Sequence, residues 1–295
     1  MKRILLFLIT NIAVMFMLSM VVNLVFMLTG TTLEQVFGPQ WSHLVVWAAV
    51  YGMGGAIVSL LLSKPLAKMS CGAKTVDGSE GEAERWLVDT VADLAGRAGV
   101  KTPEVAIYRG AANAFATGAF KNSALVAVST DIMGQMSKEE LRAVLGHEIS
   151  HVANGDMVTL TLIQGVLNAF VIVVSRVLAS VLSGSGKGGG RRGGAAYYPL
   201  VMVLQLVLGL LASLVVLWFS RRREYAADAG SAKLLGTPSS MIAALRRLGN
   251  LRPGVLPDSI KAMGIAGGSR TSVWATHPSL EDRIAALSAL NNNWR

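Results

Sequence analysis

His147-Glu148-Ile149-Ser150-His151 follows the pattern H-E-x-x-H, which on a helix combines a metal site and a hydrolytic base within five residues. The flanking residues predict that helix over 137–155. Ser137 with Glu140 makes a capping box, Leu141, Val144, Leu145 and Val152 recur on a helical period, and Asn154-Gly155 is a stop signal. At 3.6 residues per turn the two imidazoles lie about 40° apart and one turn along the axis, so both reach one metal ion as neutral donors. Glu148 is rotated about 100° from His147, beside the metal rather than on it. A base is wanted there, because zinc lowers the pKa of a bound water towards about 7 and a neighbouring carboxylate can pass its proton to a leaving amine. The bland alternative is a solvated helix face on which two histidines and a glutamate happen to fall.

A catalytic zinc needs a third protein ligand and one position left for water. Among 18 acidic residues the best candidate is Glu224, in Arg223-Glu224-Tyr225-Ala226-Ala227-Asp228. Glu224 and Asp228 are four apart on an expected helix, so one carboxylate can bind the metal while the other accepts a hydrogen bond from a ligand imidazole. The competing reading is a charged surface helix, with Glu224 merely neutralising Arg221, Arg222 and Arg223.

The elements that position these residues belong to a membrane protein. The chain has 295 residues, 52% hydrophobic and 15% charged, with a mean hydropathy of +0.50. Residues 4–28, 44–62, 157–182 and 200–220 each reach the ~20 residues that a spanning helix needs, giving four expected spans as two hairpins. The first follows Met1-Lys2-Arg3 and lacks a small-residue cleavage site, so it reads as a retained anchor. Basic residues fall at Lys2 and Arg3, at Lys64, Lys68 and Lys74, and at Arg221, Arg222 and Arg223, while the first loop, around Glu34, has none. Positive-inside counting puts both termini and the catalytic segments in the cytoplasm. The glycine-rich loop 183–199 disagrees, carrying Lys187, Arg191 and Arg192, so a shallow or re-entrant second hairpin stays open. In the third span Gln164, Asn168 and Ser175 share nearly one face, with Arg176 close by, which suits packing against protein or a wet cavity.

The organisation is therefore an amino-terminal hairpin (1–63), a first catalytic half with the H-E-x-x-H helix (64–156), a second hairpin (157–220) and a second catalytic half with the third ligand (221–295). The water-facing segments total about 170 residues, one domain of ordinary size. They must fold together, because one metal site cannot straddle a bilayer. The expected site lies near the bilayer surface, since two residues separate its helix from one span and Glu224 follows closely on another. Residues 82–99 read as a core helix with Trp86, Leu87, Val91 and Leu94 on one face. Residues 105–108 and 124–129 read as strands separated by 110–122. An exposed edge of such a sheet can pair with an extended peptide.

With N-A-F at Asn113-Ala114-Phe115, H-E-I-S-H, the second hairpin, E-Y-A-A-D and Thr276-His277-Pro278, the chain resembles the HtpX family over essentially its whole length. These are bacterial membrane zinc metallopeptidases related to the CAAX prenyl proteases. The resemblance implies an α-helical membrane protein with an α+β zincin-like domain. It implies a gluzincin endopeptidase with one Zn2+ held by His147, His151 and Glu224, Glu148 as general base, and Asp228 as partner of His147. It also implies quality control of misfolded or damaged membrane proteins at the bacterial inner membrane. Asn113 and Ala114 match a segment that contacts substrate main chain from the edge strand, with a simple turn before Gly118 as the alternative. His277 and Arg283, in H-P-x-x-x-x-R, match positions lining the cleft, where a cationic donor can stabilise an oxyanion. A structural helix-start role for His277 stays open.

Other features are plainer. Cys71 is the single cysteine, which excludes an intrachain disulfide, and His43 reads as an interfacial residue. The net charge of +9 clusters at membrane boundaries, where anionic headgroups account for it, and no nucleotide-binding loop or nucleic-acid motif is found. A membrane scaffold or chaperone-like binder with a structural metal site is the reading from another class. It leaves Glu148 without a use. Processing of prenylated peptides calls for a larger intramembrane chamber than four spans build.

Overall fold

The computed structural model describes residues 41–183, 196–251 and 277–292, together with Met27 and Ile265. The expected first span and most of the glycine-rich loop lie outside the described residues. Two compact units emerge, one of Met1–Ser59 and Thr159–Val216, the other of Leu60–Val158 and Leu217–Arg295.

The first unit holds most of the apolar length of three helices. Helix α1 (Trp41–Cys71), α5 (Asp156–Leu182) and α6 (Tyr197–Leu235) are the three among the described residues long and apolar enough to cross a membrane. Within the unit, Gly52 lies so close to Ala169 that a Cβ there would meet its backbone at 2.5 Å, and Gly165 lies against Met53. Small residues let helix backbones approach where no hydrophobic effect pushes them together. Gln164 donates to Asn168 at 2.9 Å, so two of the polar residues of α5 satisfy each other. Arg176 donates to the Ile172 carbonyl at 3.0 Å. Ser175, on the same side, is buried.

The second unit packs helices on a four-stranded mixed sheet. Strands β1 (Lys74–Val76), β2 (Glu104–Tyr108), β3 (Ala114–Thr117) and β4 (Leu125–Ser129) take the order β1-β2-β4-β3. Strand β2 runs parallel to β4, and β3 antiparallel to it with Phe115 opposite Ala127. The stretch expected to be only a connection between two strands thus contains a third, on the edge of the sheet. Alternation along the strands sends Val105, Ala114, Ala116, Val126 and Val128 to one face, with Phe115, Leu125, Ala127 and Tyr108 on the other. The first face meets α2 (Glu82–Ala98), through Leu87, Val91 and Leu94, then α4 (Lys138–Asn154) and α7 (Ser239–Asn250). The second face is covered by Ala67 and Cys71 from the end of α1, where Lys64 and Lys68 also pair with Glu104 at 3.1 and 2.7 Å.

Helix α4 follows α3 (Thr130–Gln135) and is the pivot of this unit. Its capping box is complete: the Ser137 hydroxyl accepts from Glu140 N, and the Glu140 carboxylate accepts from Ser137 N. Every residue from Ala143 to Val152 is buried, polar and apolar alike. The polar ones are tolerated because α6 crosses α4 at glycines and serines. A Cβ on Gly146 would stand 2.8 Å from Ser231 Oγ, and one on Gly230 would stand 2.5 Å from Ser150 Oγ. Ser231 Oγ donates to the Ala143 carbonyl at 2.7 Å across this crossing. Helix axes this close bring the side chains one turn away on each helix into contact.

Candidate active site

The side chains brought together at that crossing are those of the two motifs. His147, Glu148 and His151 come from α4, Glu224 and Asp228 from α6, and all five are buried. The fourth expected span and the helix of the third ligand are one 39-residue helix, because Gly230 stays helical and the first glycine at positive φ after Ser220 is Gly236, at φ 77°.

His147 Nε2 and His151 Nε2 are 3.1 Å apart, and each is 3.4 Å from an oxygen of Glu224. Their tautomers follow from the other ring nitrogens. His147 Nδ1 donates to Asp228 Oδ1 at 2.8 Å, and His151 Nδ1 donates to Asp156 Oδ2 at 2.7 Å. In neutral rings both Nε2 lone pairs then point at one another and at a carboxylate, an arrangement that calls for a cation. Tetrahedral bonds of about 2.0–2.1 Å separate donors by roughly 3.3 Å, the spacing seen here. His147, His151 and Glu224 are also the one group among the described residues whose ligand atoms converge in this way. The donor set fits a metal ion.

Arg283, from α8 (Leu280–Asn292), closes the His147 side. It donates Nε to Asp228 Oδ2 at 2.8 Å and Nη2 to Asp228 Oδ1 at 2.6 Å, and its Nη1 is 3.6 Å from Glu224. Two of its nitrogens are thus committed to Asp228. His277 Nδ1 comes within 2.9 Å of Glu224 Oε2, but off the line of a hydrogen bond. Both His277 nitrogens and Glu224 Oε2 are buried without a hydrogen-bond partner.

Burial and charge set the proton affinities. Burial would depress both metal-site imidazoles. The hydrogen bonds prevail, from Asp228 and Glu224 on His147 and from Asp156 and Glu224 on His151, which is held up at about 10. Burial pushes Glu148 above the ordinary carboxylate range. Glu224 stays well below that range because the surrounding imidazoles outweigh its burial, and Asp228 is kept low by Arg283 in the same way.

The edge strand lines the site beside Glu148. The backbone of Ala116 faces the Glu148 carboxylate and draws its proton affinity down against the larger effect of burial, so the outward groups of β3 turn towards the base. Asn113 is pinned: its backbone N–H donates to Ser129 Oγ, its carbonyl accepts from Ser129 N, and its side-chain oxygen accepts from Ala114 N. The Ala114 carbonyl accepts from Ile265 N at 3.1 Å.

Of the residues expected from the motifs and the resemblance, the structure brings His147, Glu148, His151, Glu224, Asp228, His277 and Arg283 together, and it adds Asp156. A signal was present, since two ligand imidazoles want two acceptors and only Asp228 had been assigned. The Ala116 contact had no signal at all, being a backbone group on an unrecognised strand.

Comparison with known proteins agrees with this geometry. The family model described as Peptidase family M48 matches residues 82–291. A "Protease HtpX homolog" of Verminephrobacter eiseniae is 52% identical over 294 residues, covering 97% of this chain and 98% of that protein. The homolog of Bordetella pertussis is 52% identical over 290 residues, with 97% and 98% covered. Among solved structures, that of S. mikatae Ste24p superposes with a TM-score of 0.56 at 19% identity, covering 96% of this chain and 67% of that one. At that identity the likeness speaks for a common fold.

Proposed function

The chain belongs to peptidase family M48 and is a membrane-integrated metallopeptidase, and from that premise we propose that it is a zinc endopeptidase cutting misfolded or damaged membrane proteins. The observation that carries the zinc reading is the convergence of two histidine Nε2 lone pairs and the Glu224 carboxylate, each donor 3.1–3.4 Å from its neighbours. Imidazole and carboxylate donors at that spacing suit zinc, which would supply Lewis acidity and a water acidified to near neutrality.

The protein's own groups do the rest. Glu148 takes a proton from the attacking water and delivers it to the amide nitrogen of the leaving segment, a task its raised basicity suits. Asp228, locked by Arg283, holds His147 with its proton on Nδ1. Arg283 is thus a positioning residue in this reading. His277, buried with its Nδ1 2.9 Å from Glu224 Oε2, is the donor placed to meet the oxyanion of the tetrahedral intermediate. The extended substrate is read as lying along β3 at Asn113 and Ala114, where main-chain pairing would require the Ala114 carbonyl to exchange its bond from Ile265 N for one from the substrate.

In this reading the catalytic domain has two halves, 64–156 and 221–295, interrupted by the membrane hairpin. The basic residues flanking the spans put it and both termini on the cytoplasmic side of the bacterial inner membrane. Substrates that lie in the same membrane fit an enzyme anchored in it. Mapping of cleavage sites on a mixed set of membrane and soluble proteins, with purified zinc-loaded enzyme and Glu148→Gln as control, tests the proposal. Cuts in wild type that vanish in Glu148→Gln are expected. Equal cutting by both would remove the mechanism, and cuts confined to soluble proteins would remove the substrate class.

A further inference from the structure

The two metal-site histidines are each held by an aspartate, but the second is delivered by different means. Asp228 reaches His147 from another helix. Asp156 lies only five residues after His151, and in an unbroken helix that spacing would turn it about 140° away and carry it ~7.5 Å along the axis. The chain avoids this by ending α4 at Gly155, whose φ of 66° is left-handed, and starting α5 at Asp156 itself. Gly155 N–H caps the His151 and Val152 carbonyls, and the Lys121 ammonium, from the loop between β3 and β4, donates to the Ala153 carbonyl. The reversal returns the Asp156 carboxylate to His151 Nδ1 at 2.7 Å, with both residues 7% exposed. The start of a helix favours a carboxylate, and the buried guanidinium of Arg223 adds a positive charge nearby.

Resting on the zinc peptidase reading, we infer that Asp156 is a positioning residue for His151. It keeps the proton on Nδ1 and the Nε2 lone pair on the metal, and it ties that ligand to the first residue of α5. The ligand and the start of an apolar helix are then one mechanical unit, hinged at Gly155. A displacement of that first turn reaches the metal through a single hydrogen bond.

The test uses full-length protein in detergent. Zinc affinity is measured by chelator competition, the Co2+ form by its visible absorption, and kcat and KM on an unfolded membrane-protein substrate. Asp156→Ala is expected to weaken zinc binding ~10–100-fold, the usual cost of losing such a partner. It should also alter the cobalt spectrum and lower kcat more than KM rises. Asp156→Asn keeps an acceptor oxygen and should recover most of the affinity and spectrum. If Asp156→Ala does not accumulate folded, Gly155→Ala, strained at positive φ, should show the same spectral change. Wild-type affinity and spectrum in Asp156→Ala, with or without a lower melting temperature, would overturn the inference. So would Asp156→Asn binding no better than Asp156→Ala. A wild type that takes up no zinc, or Glu148→Gln that still cleaves, would instead overturn the underlying reading.

Discussion

The two units of this protein differ in what they turn outward and in the charge they bury. In the unit that contains most of the apolar helix length, Met202 is 71% exposed and Leu206 66%, with Val203, Leu211 and Tyr51 similarly turned outward. In the other unit Arg283 is 1% exposed, and His147, Glu148, Glu224 and Asp228 are scarcely more so. An outward apolar surface of that extent suits hydrocarbon rather than water, and its helices meet by close fit at Gly52 and Gly165 and over a small apolar cluster of Ala48, Val173, Val174 and Val177. Inward charge is stable only when each group is paired, which is what the Arg283–Asp228–His147 chain achieves. One unit is specified by its solvent and the other by its chemistry, so changes in each should fail in different ways.

The largest expected effect is on the chemical side. Glu148→Gln should lose cleavage by about 10²–10⁴-fold, the range of general acid–base catalysis, while its melting temperature in detergent stays close to wild type. Steady-state kinetics beside thermal unfolding checks this, and a variant that unfolds would blur the distinction between the units.

Next is the buried ion pair. Arg283→Leu leaves Asp228 buried without its bidentate partner and should cost about 3–5 kcal/mol of stability, read by denaturant unfolding of the metal-free protein. A loss well under 1 kcal/mol would mean that this unit tolerates unpaired charge.

Proton linkage gives a third test. His151 in the metal-free fold is raised from an unfolded value of about 6.5 to about 10. Its contribution to stability is therefore complete below pH ~6.5 and lost as pH rises towards 10. Zinc binds neutral imidazole, so affinity should climb over that same window with release of protons. Melting of the metal-free protein and calorimetric zinc titration in buffers of different ionisation enthalpy measure both.

The smallest effect on chemistry should come from the membrane side. Gly52→Leu puts carbon into the Ala169 backbone and should destabilise its unit by ~1–3 kcal/mol. Zinc content and kcat should be unchanged. Proteolytic susceptibility and zinc analysis of the same sample separate the two, and a loss of zinc would show the units to be coupled.

What was legible in the sequence divides along the same line. Hydropathy alone located helices α1, α5 and α6, because lipid-facing residues need no partner to identify them. It ended the last too early, since Arg221, Arg222 and Arg223 stop a hydropathy window but not a helix. Ser137 and Glu140 announced the start of α4 because both halves of a capping box are local. Strand β3 was missed, as Ala-Phe-Ala-Thr has little β character of its own and is held by pairing with β4 and burial on both sides. The link from Arg283 to Asp228 spans 55 residues and leaves no local trace; family resemblance alone pointed to Arg283. Asp156 hid in plain view, because its role depends on the reversal at Gly155.

Zinc binding is expected to rest on His147, His151 and Glu224 and not on Glu148. Elemental analysis of purified wild type, Glu148→Gln and Glu224→Ala tests it most directly. About one zinc per chain is expected in the first two and a marked loss in the third, as for a site with three protein ligands. Full zinc stoichiometry in Glu224→Ala would contradict it.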